Sequence, residues 1–152
     1  MIGLGLDVVE LERFRGTLER TPNFGRRVFT ADEVAYAEKK RDPTERYAVR
    51  FAAKEAVLKA MGLGLWSCPL RDIEVVRARS GAPSVQLLGR AGELAAEREI
   101  ERWHLTLTHT DRLAVALAVA LGPGSISTPG DLAALSESVV SELAGGGARG
   151  DP

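Results

Sequence analysis

Cysteine is nearly missing from this chain. Cys68 is the only one, so no internal disulfide can form, and a lone thiol makes a poor metal cage. That usage suits a reducing compartment. Long basic blocks are absent too, and a formal net charge of −1 leaves no global field to recruit nucleic acid. Local basic clusters can still meet an acidic partner. No apolar run reaches the length of a membrane span, and the N-terminus lacks the basic, apolar and cleavage regions of a signal peptide. The expectation is a cytoplasmic protein with neither membrane nor nucleic acid as its partner.

What remains is ordinary for a soluble globular protein: 152 residues, 45% hydrophobic and 27% charged. That length suits one domain with a sizeable core. No internal repeat occurs. The apolar run "MIGLGLDVV" at the start reads as a buried strand ending near Asp7, followed by a helix from Val8 to about Arg20. "TADE" at 30–33 is a capping box, Thr30 with Glu33, opening a helix to about Lys40. "DPTE" at 42–45 repeats the device, with Asp42 as N-cap and Pro43 at the first helical position. The following helix, the longest element in view, runs to Met61 and is stopped by "GLG" at 62–64.

After Pro69 the texture changes. "DIEVVRA" at 72–78 and "SVQLL" at 84–88 are strand-like, with the turn "SGAP" at 80–83 between them. Residues 90–100 form a short amphipathic helix. "WHLTLTH" at 103–109 alternates, with Trp103, Leu105, Leu107 and His109 on one face and His104 on the other. "TDR" at 110–112 then turns the chain into the apolar strand "LAVALAVAL" at 113–121. This order predicts an α+β domain with a mainly antiparallel sheet packed on a long helix. It spans 1–121, followed by a Gly/Pro/Ser linker at 122–130, an appended amphipathic helix at 131–144 and a disordered tail at 145–152.

Three stretches can carry chemistry, and each also has a plain structural reading. Asp7 with Glu10 in "DVVE" is a capping box for the helix at Val8. In "RFAAKEAVLKAMGLG", Glu55 and Lys59 share one helix face while Arg50 and Lys54 share the adjacent one. An exposed Glu–Lys pair would contribute only about 0.3–0.5 kcal/mol. Yet three cations and an acid before a glycine-rich stop would also suit a phosphorylated ligand with a metal. His109 ends a strand, where a histidine is as readily structural as catalytic.

Taken in order and spacing, "GLGLDVVELERF", "RFAAKEAVLKAMGLG" and "LTLTHTDRLAVALAVA" closely resemble the holo-[acyl-carrier-protein] synthases, the small single-domain group of 4′-phosphopantetheinyl transferases. The resemblance covers about residues 2–121. It implies transfer of 4′-phosphopantetheine from coenzyme A to a serine of an apo acyl carrier protein, releasing 3′,5′-ADP. Such carriers serve fatty-acid or polyketide synthesis. By resemblance, Asp7 and Glu55 are Mg²⁺ ligands, with water completing the sphere because Val9 stands where larger relatives have a further acid. Lys59 approaches the diphosphate. Arg50, Gly62, Gly64 and His109 fall in segments lining the coenzyme A site. Glu55, or a metal-bound water that it positions, is the candidate general base.

The same resemblance places the acidic carrier on the first helix, at Arg13, with Arg26 and Arg27 just beyond, and implies a homotrimer with coenzyme A bound where subunits meet. Two departures stand out. Gly81-Ala82-Pro83 replaces the family's Gly-Lys-Pro turn, and the extension after residue 122 lies beyond the family's usual end. A catalytically weak coenzyme A-binding or docking module on the same fold is the alternative reading.

Overall fold

The computed structural model describes residues 1–125. The helix and tail expected at 131–152, and most of the linker before them, lie outside the described residues. The first strand, β1 (Gly3–Glu10), runs antiparallel to the last, β5 (Leu113–Leu121), from Gly3 opposite Ala120 to Glu10 opposite Leu113. On the other side of β5 lies β4 (Arg102–His109), giving a three-stranded sheet of order β1-β5-β4. A separate hairpin pairs β2 (Ile73–Arg77) with β3 (Pro83–Leu87). The expected α+β fold with antiparallel pairing is what the chain adopts.

Helix α4 (Thr44–Ala60) lies across the sheet. Alternation along β5 turns Ala114, Ala116, Ala118 and Ala120 to one face, where all are buried, and Val115, Leu117 and Val119 to the other. Ala52, Ala53, Ala56 and Ala60 answer from the helix, also buried. Small side chains on both surfaces allow a close approach, and Gly3 and Gly5 take it furthest. A Cβ on Gly3 would sit 1.8 Å from the Ala60 carbonyl oxygen, and one on Gly5 would sit 1.9 Å from that of Ala56. No other residue type fits at either place.

On the opposite face of the sheet β1 presents Leu4, Leu6 and Val8, each more than half exposed, so the strand expected to be buried is covered on its helix side alone. Three shorter helices close the other side of α4: α1 (Leu11–Arg20), α2 (Phe24–Val28) and α3 (Ala31–Ala37). Phe14, Phe24 and Phe51 join α1, α2 and α4, with ring centroids 5.5–5.8 Å apart. A fifth helix, α5 (Gly89–Ala96), packs Ala91, Leu94 and Ala95 inward.

The first strand outlasts its expected end by three residues. Val8, Val9 and Glu10 stay in the ladder opposite Val115, Ala114 and Leu113, and Leu11 N–H still donates to Arg112 O at 2.8 Å. Paired β-branched residues hold the extended form here. This corrects the capping reading of Asp7 and Glu10. Asp7 lies mid-strand opposite Ala116, while the N-cap of α1 is Glu10, whose side chain makes no capping bond. The box at Thr30 and Glu33 does form, with both reciprocal bonds, though its helix stops at Ala37 rather than near Lys40. Asp42 works from one position further out than expected. Its Oδ1 accepts from Thr44 N–H at 3.0 Å, while Pro43 takes the N-cap place.

Candidate active site

The close seating of α4 on Gly3 and Gly5 determines what happens two residues further along that strand face. Asp7 faces the helix, and Lys59 Nζ donates to its Oδ1 at 2.8 Å and to Leu6 O at 3.1 Å. Asp7 is mostly covered, whereas about half of the Lys59 side chain remains open to solvent. Glu55 lies one turn before Lys59 on the same helix face. Burial pushes the Glu55 carboxyl above its ordinary range, the nearby Asp7 charge pushes it further, and Lys59 opposes both. Two neighbouring carboxylates make a place where a cation is stabilised.

Among the described residues no group of three or more His, Cys, Asp or Glu could hold a metal ion. Two carboxylates alone would make a poor zinc cage, but they suit Mg²⁺, which keeps several waters and takes the rest of its shell from substrate phosphates. The donor set therefore fits Mg²⁺. Beside it opens a cavity of about 540 Å³, lined on one side by Asp7 and Glu55, on another by Arg13 of α1, and elsewhere by Phe51, Leu65 and Trp66.

A second cavity, about 290 Å³, lies between the first half of α4, β2 and the end of β4, and shares no lining residue with the first. Its walls are cationic. The guanidinium carbons of Arg50, Arg46 and Arg77 lie 4.1, 4.5 and 5.6 Å from the centroid of the Tyr36 ring. Arg50 is only 6% exposed, and burial pushes its guanidinium down. Its Nε is buried without a hydrogen-bond partner, while Nη1 donates to Arg46 O at 3.3 Å. Lys40, His109 and Glu45 also line it, with Lys40 and His109 lying 3.1 and 3.4 Å from the Glu45 carboxylate, and Val49, Val75 and Leu107 supply apolar wall. A pocket with this many cations and an unsatisfied donor is built for a polyanion.

The sequence-expected residues thus fall into two groups. Asp7, Glu55 and Lys59 come together, and so do Arg50 and His109, in the other cavity. Gly62 closes α4 with φ +70, a conformation glycine adopts without cost. Gly64 has open space where a side chain would be, so neither glycine is needed to relieve a contact within the chain. Arg13 reaches the first cavity. Arg26 instead lines a third groove with Phe29, Val34 and Arg71, and Arg27 is exposed on α2.

One expectation is overturned. Lys54, expected among the cations suited to a ligand, is fully buried and donates to Glu33 Oε2 at 2.7 Å, to Leu70 O at 3.0 Å and to Ile73 O. It joins α4 to α3 and β2 and faces no ligand. Arg46, Arg77 and Tyr36 were missed. Arg46 was within reach, being one turn before Arg50, whereas Arg77 enters only through the β2–β3 hairpin.

A model of the 4′-phosphopantetheinyl transferase superfamily matches residues 3–118. The holo-[acyl-carrier-protein] synthase of Moorella thermoacetica is 42% identical over 130 residues, covering 86% of this chain and all of that protein. That of Frankia casuarinae is 46% identical over 123 residues, covering 79% and 97%. Among solved structures, the holo-(acyl-carrier-protein) synthase of Bacillus anthracis in complex with CoA (3′,5′-ADP) superposes with a TM-score of 0.66 at 32% identity, covering 80% of this chain and 96% of that one. Over the length that carries both cavities, this chain belongs to the 4′-phosphopantetheinyl transferase superfamily, in its holo-[acyl-carrier-protein] synthase group.

Proposed function

We propose that the chain transfers 4′-phosphopantetheine from coenzyme A to a serine of an apo acyl carrier protein, with Asp7 and Glu55 as ligands of Mg²⁺. The observation that carries this is the contact of Lys59 with Asp7, 2.8 Å apart, where Asp7 and Glu55 together line one cavity. When bound, Mg²⁺ would neutralise charge on the diphosphate. The serine hydroxyl attacks the phosphorus that bears the pantetheine arm. A new P–O bond forms as the bond to 3′,5′-ADP breaks. Glu55, or a water that it positions, takes the hydroxyl proton. The Lys59 ammonium, half exposed and 2.8 Å from Asp7, is placed to stabilise charge on the departing ADP.

The cationic cavity is our site for the nucleotide phosphates, with Arg50, Arg77 and His109 as contacts. Ala82 removes the turn lysine, and Arg77, paired opposite Pro83 at that same turn, supplies a cation in its place. Gly62 and Gly64 leave open space for backbone approach by phosphate. Arg13 beside the acid pair is the carrier contact, with Arg26 and Arg27 extending the basic surface toward α2.

The separation of the two cavities favours a homotrimer in which one subunit's cations meet the neighbour's acids. The exposed Leu4, Leu6 and Val8 would be buried in it. Among the described residues no helix is long and apolar enough to cross a membrane. We place the reaction in the cytoplasm, where the buried thiol of Cys68 would stay reduced. Residues 1–121 are our transferase domain, and 122–152 an appendage.

The test is to incubate the protein with an apo carrier, coenzyme A and Mg²⁺, and weigh the carrier. The expected result is a gain of one phosphopantetheine per carrier. No gain across several carriers would leave the weaker reading, a coenzyme A-binding module.

A further inference from the structure

Among the described residues Trp66 is the most exposed aromatic, at 57%, and its neighbour Leu65 is 42% exposed. Both line the cavity that holds Asp7 and Glu55. The backbone there is unusual. Ser67 N–H donates to Gly64 O at 3.2 Å and the Ser67 hydroxyl to the same oxygen at 2.7 Å, closing a four-residue turn. Trp66 is third in that turn with φ +71, a position that favours glycine or asparagine. The chain thus keeps a large aromatic in a strained place, on the surface, at the rim of the reactive cavity. Strain of this kind persists where the surroundings or a ligand use it.

We infer that Trp66, with Leu65, is the contact that holds the pantetheine arm of coenzyme A, and so distinguishes coenzyme A from the nucleotide product. The assignment rests on the transferase reading above. With the diphosphate at Asp7, Glu55 and Lys59, the arm attached to it must start in this cavity. The arm is a flexible aliphatic chain interrupted by two amides. Its chemistry matches a wall of indole, leucine and the Phe51 ring, on which methyl groups and amide planes can lie. The nucleotide half needs none of these groups, because its cations belong to the other cavity.

The test compares binding of coenzyme A and of 3′,5′-ADP by titration calorimetry, in the full chain and in Trp66→Ala. Trp66→Ala should weaken coenzyme A by roughly three- to tenfold, the loss one aromatic contact supports, and leave 3′,5′-ADP unchanged. Trp66→Gly should lose coenzyme A affinity in the same way while raising the melting temperature, because glycine relieves the φ strain. Parallel weakening of both ligands, or of neither, overturns the assignment. So does a rise in KM for the carrier with coenzyme A affinity intact, which would make Trp66 a carrier contact. If the unaltered protein bound neither ligand, the transferase reading itself would fall.

Discussion

Lys59 Nζ lies 2.8 Å from Asp7 Oδ1 and 3.1 Å from the Leu6 carbonyl oxygen, so one ammonium ties the middle of β1 to the end of α4. That contact exists because Gly3 and Gly5 let the helix sit on the strand backbone. An ammonium held at a carboxylate and still half open to solvent can serve a phosphate without a large rearrangement. The glycines, the acid and the lysine form one device, with the packing setting the distance and the charges doing the chemistry.

Removing its members should separate chemistry from folding. Asp7→Ala and Glu55→Ala should each abolish transfer, and Lys59→Met should lower kcat by about 10²–10³, the usual loss for one stabiliser of developing charge. Asp7 and Glu55 contribute little to the core, so far-ultraviolet circular dichroism and the melting curve should stay close to those of the unaltered chain. Near-normal turnover of either alanine variant at limiting Mg²⁺ would remove that residue from the metal site.

Lys54 should behave in the opposite way. Its ammonium is buried against Glu33 and two carbonyls, and burial pushes it down while Glu33 holds it charged. Lys54→Ala leaves the Glu33 carboxylate buried without its cation, which costs about 3–5 kcal/mol. Urea unfolding measures that loss. The fraction that stays folded should keep its affinity for coenzyme A, since Lys54 faces no ligand.

Much of this organisation was legible in the chain. "GLGLD" marked the first strand, though only its helix-facing side is covered, the Thr30–Glu33 box formed as written, and the alternation from Trp103 to His109 gave the faces of β4. Other features depend on partners far away in sequence. Asp7, Val8, Val9 and Glu10 spell a capping box, but β5 takes the same residues into its ladder, and eight paired positions outweigh one cap. Lys54 carries no local sign of burial, because Glu33 is 21 residues away and the accepting carbonyls lie beyond the end of its helix. Trp66 belongs to no periodic pattern, and only its place on a cavity gives it meaning.

Asp42 gives the pH dependence. Its carboxylate accepts from Thr44 N–H and pairs with Arg15 at 2.9 Å, and these bonds, Thr44 first, hold its pKa at about 2 against an ordinary 3.8. A depressed carboxylate contributes stability above its unfolded value and loses it as pH falls through the folded one. Asp42→Ala should therefore cost about 0.5–2 kcal/mol at neutral pH, as for other lost caps. The gap from the unaltered chain should shrink between pH 3.8 and about 2. Paired thermal melts across that range measure it, and a gap constant to the lowest pH would mean that the cap contributes without its charge.

The cationic cavity can be probed without touching the reactive carboxylates. Arg77 is the better handle than Arg50, because Arg50 is buried in α4 and its loss would disturb packing. The Arg77 guanidinium leans over Tyr36 from the end of β2, beside the turn where Ala82 stands. If it meets the 3′-phosphate of coenzyme A, Arg77→Ala removes a charge-assisted contact of about 1.5–3 kcal/mol, roughly 10- to 100-fold in affinity. Dephospho-coenzyme A lacks that phosphate and should bind the variant and the unaltered chain alike. Calorimetry with both ligands closes the cycle. Equal losses for the two would move Arg77 to the diphosphate, and no loss for either would remove it from the site.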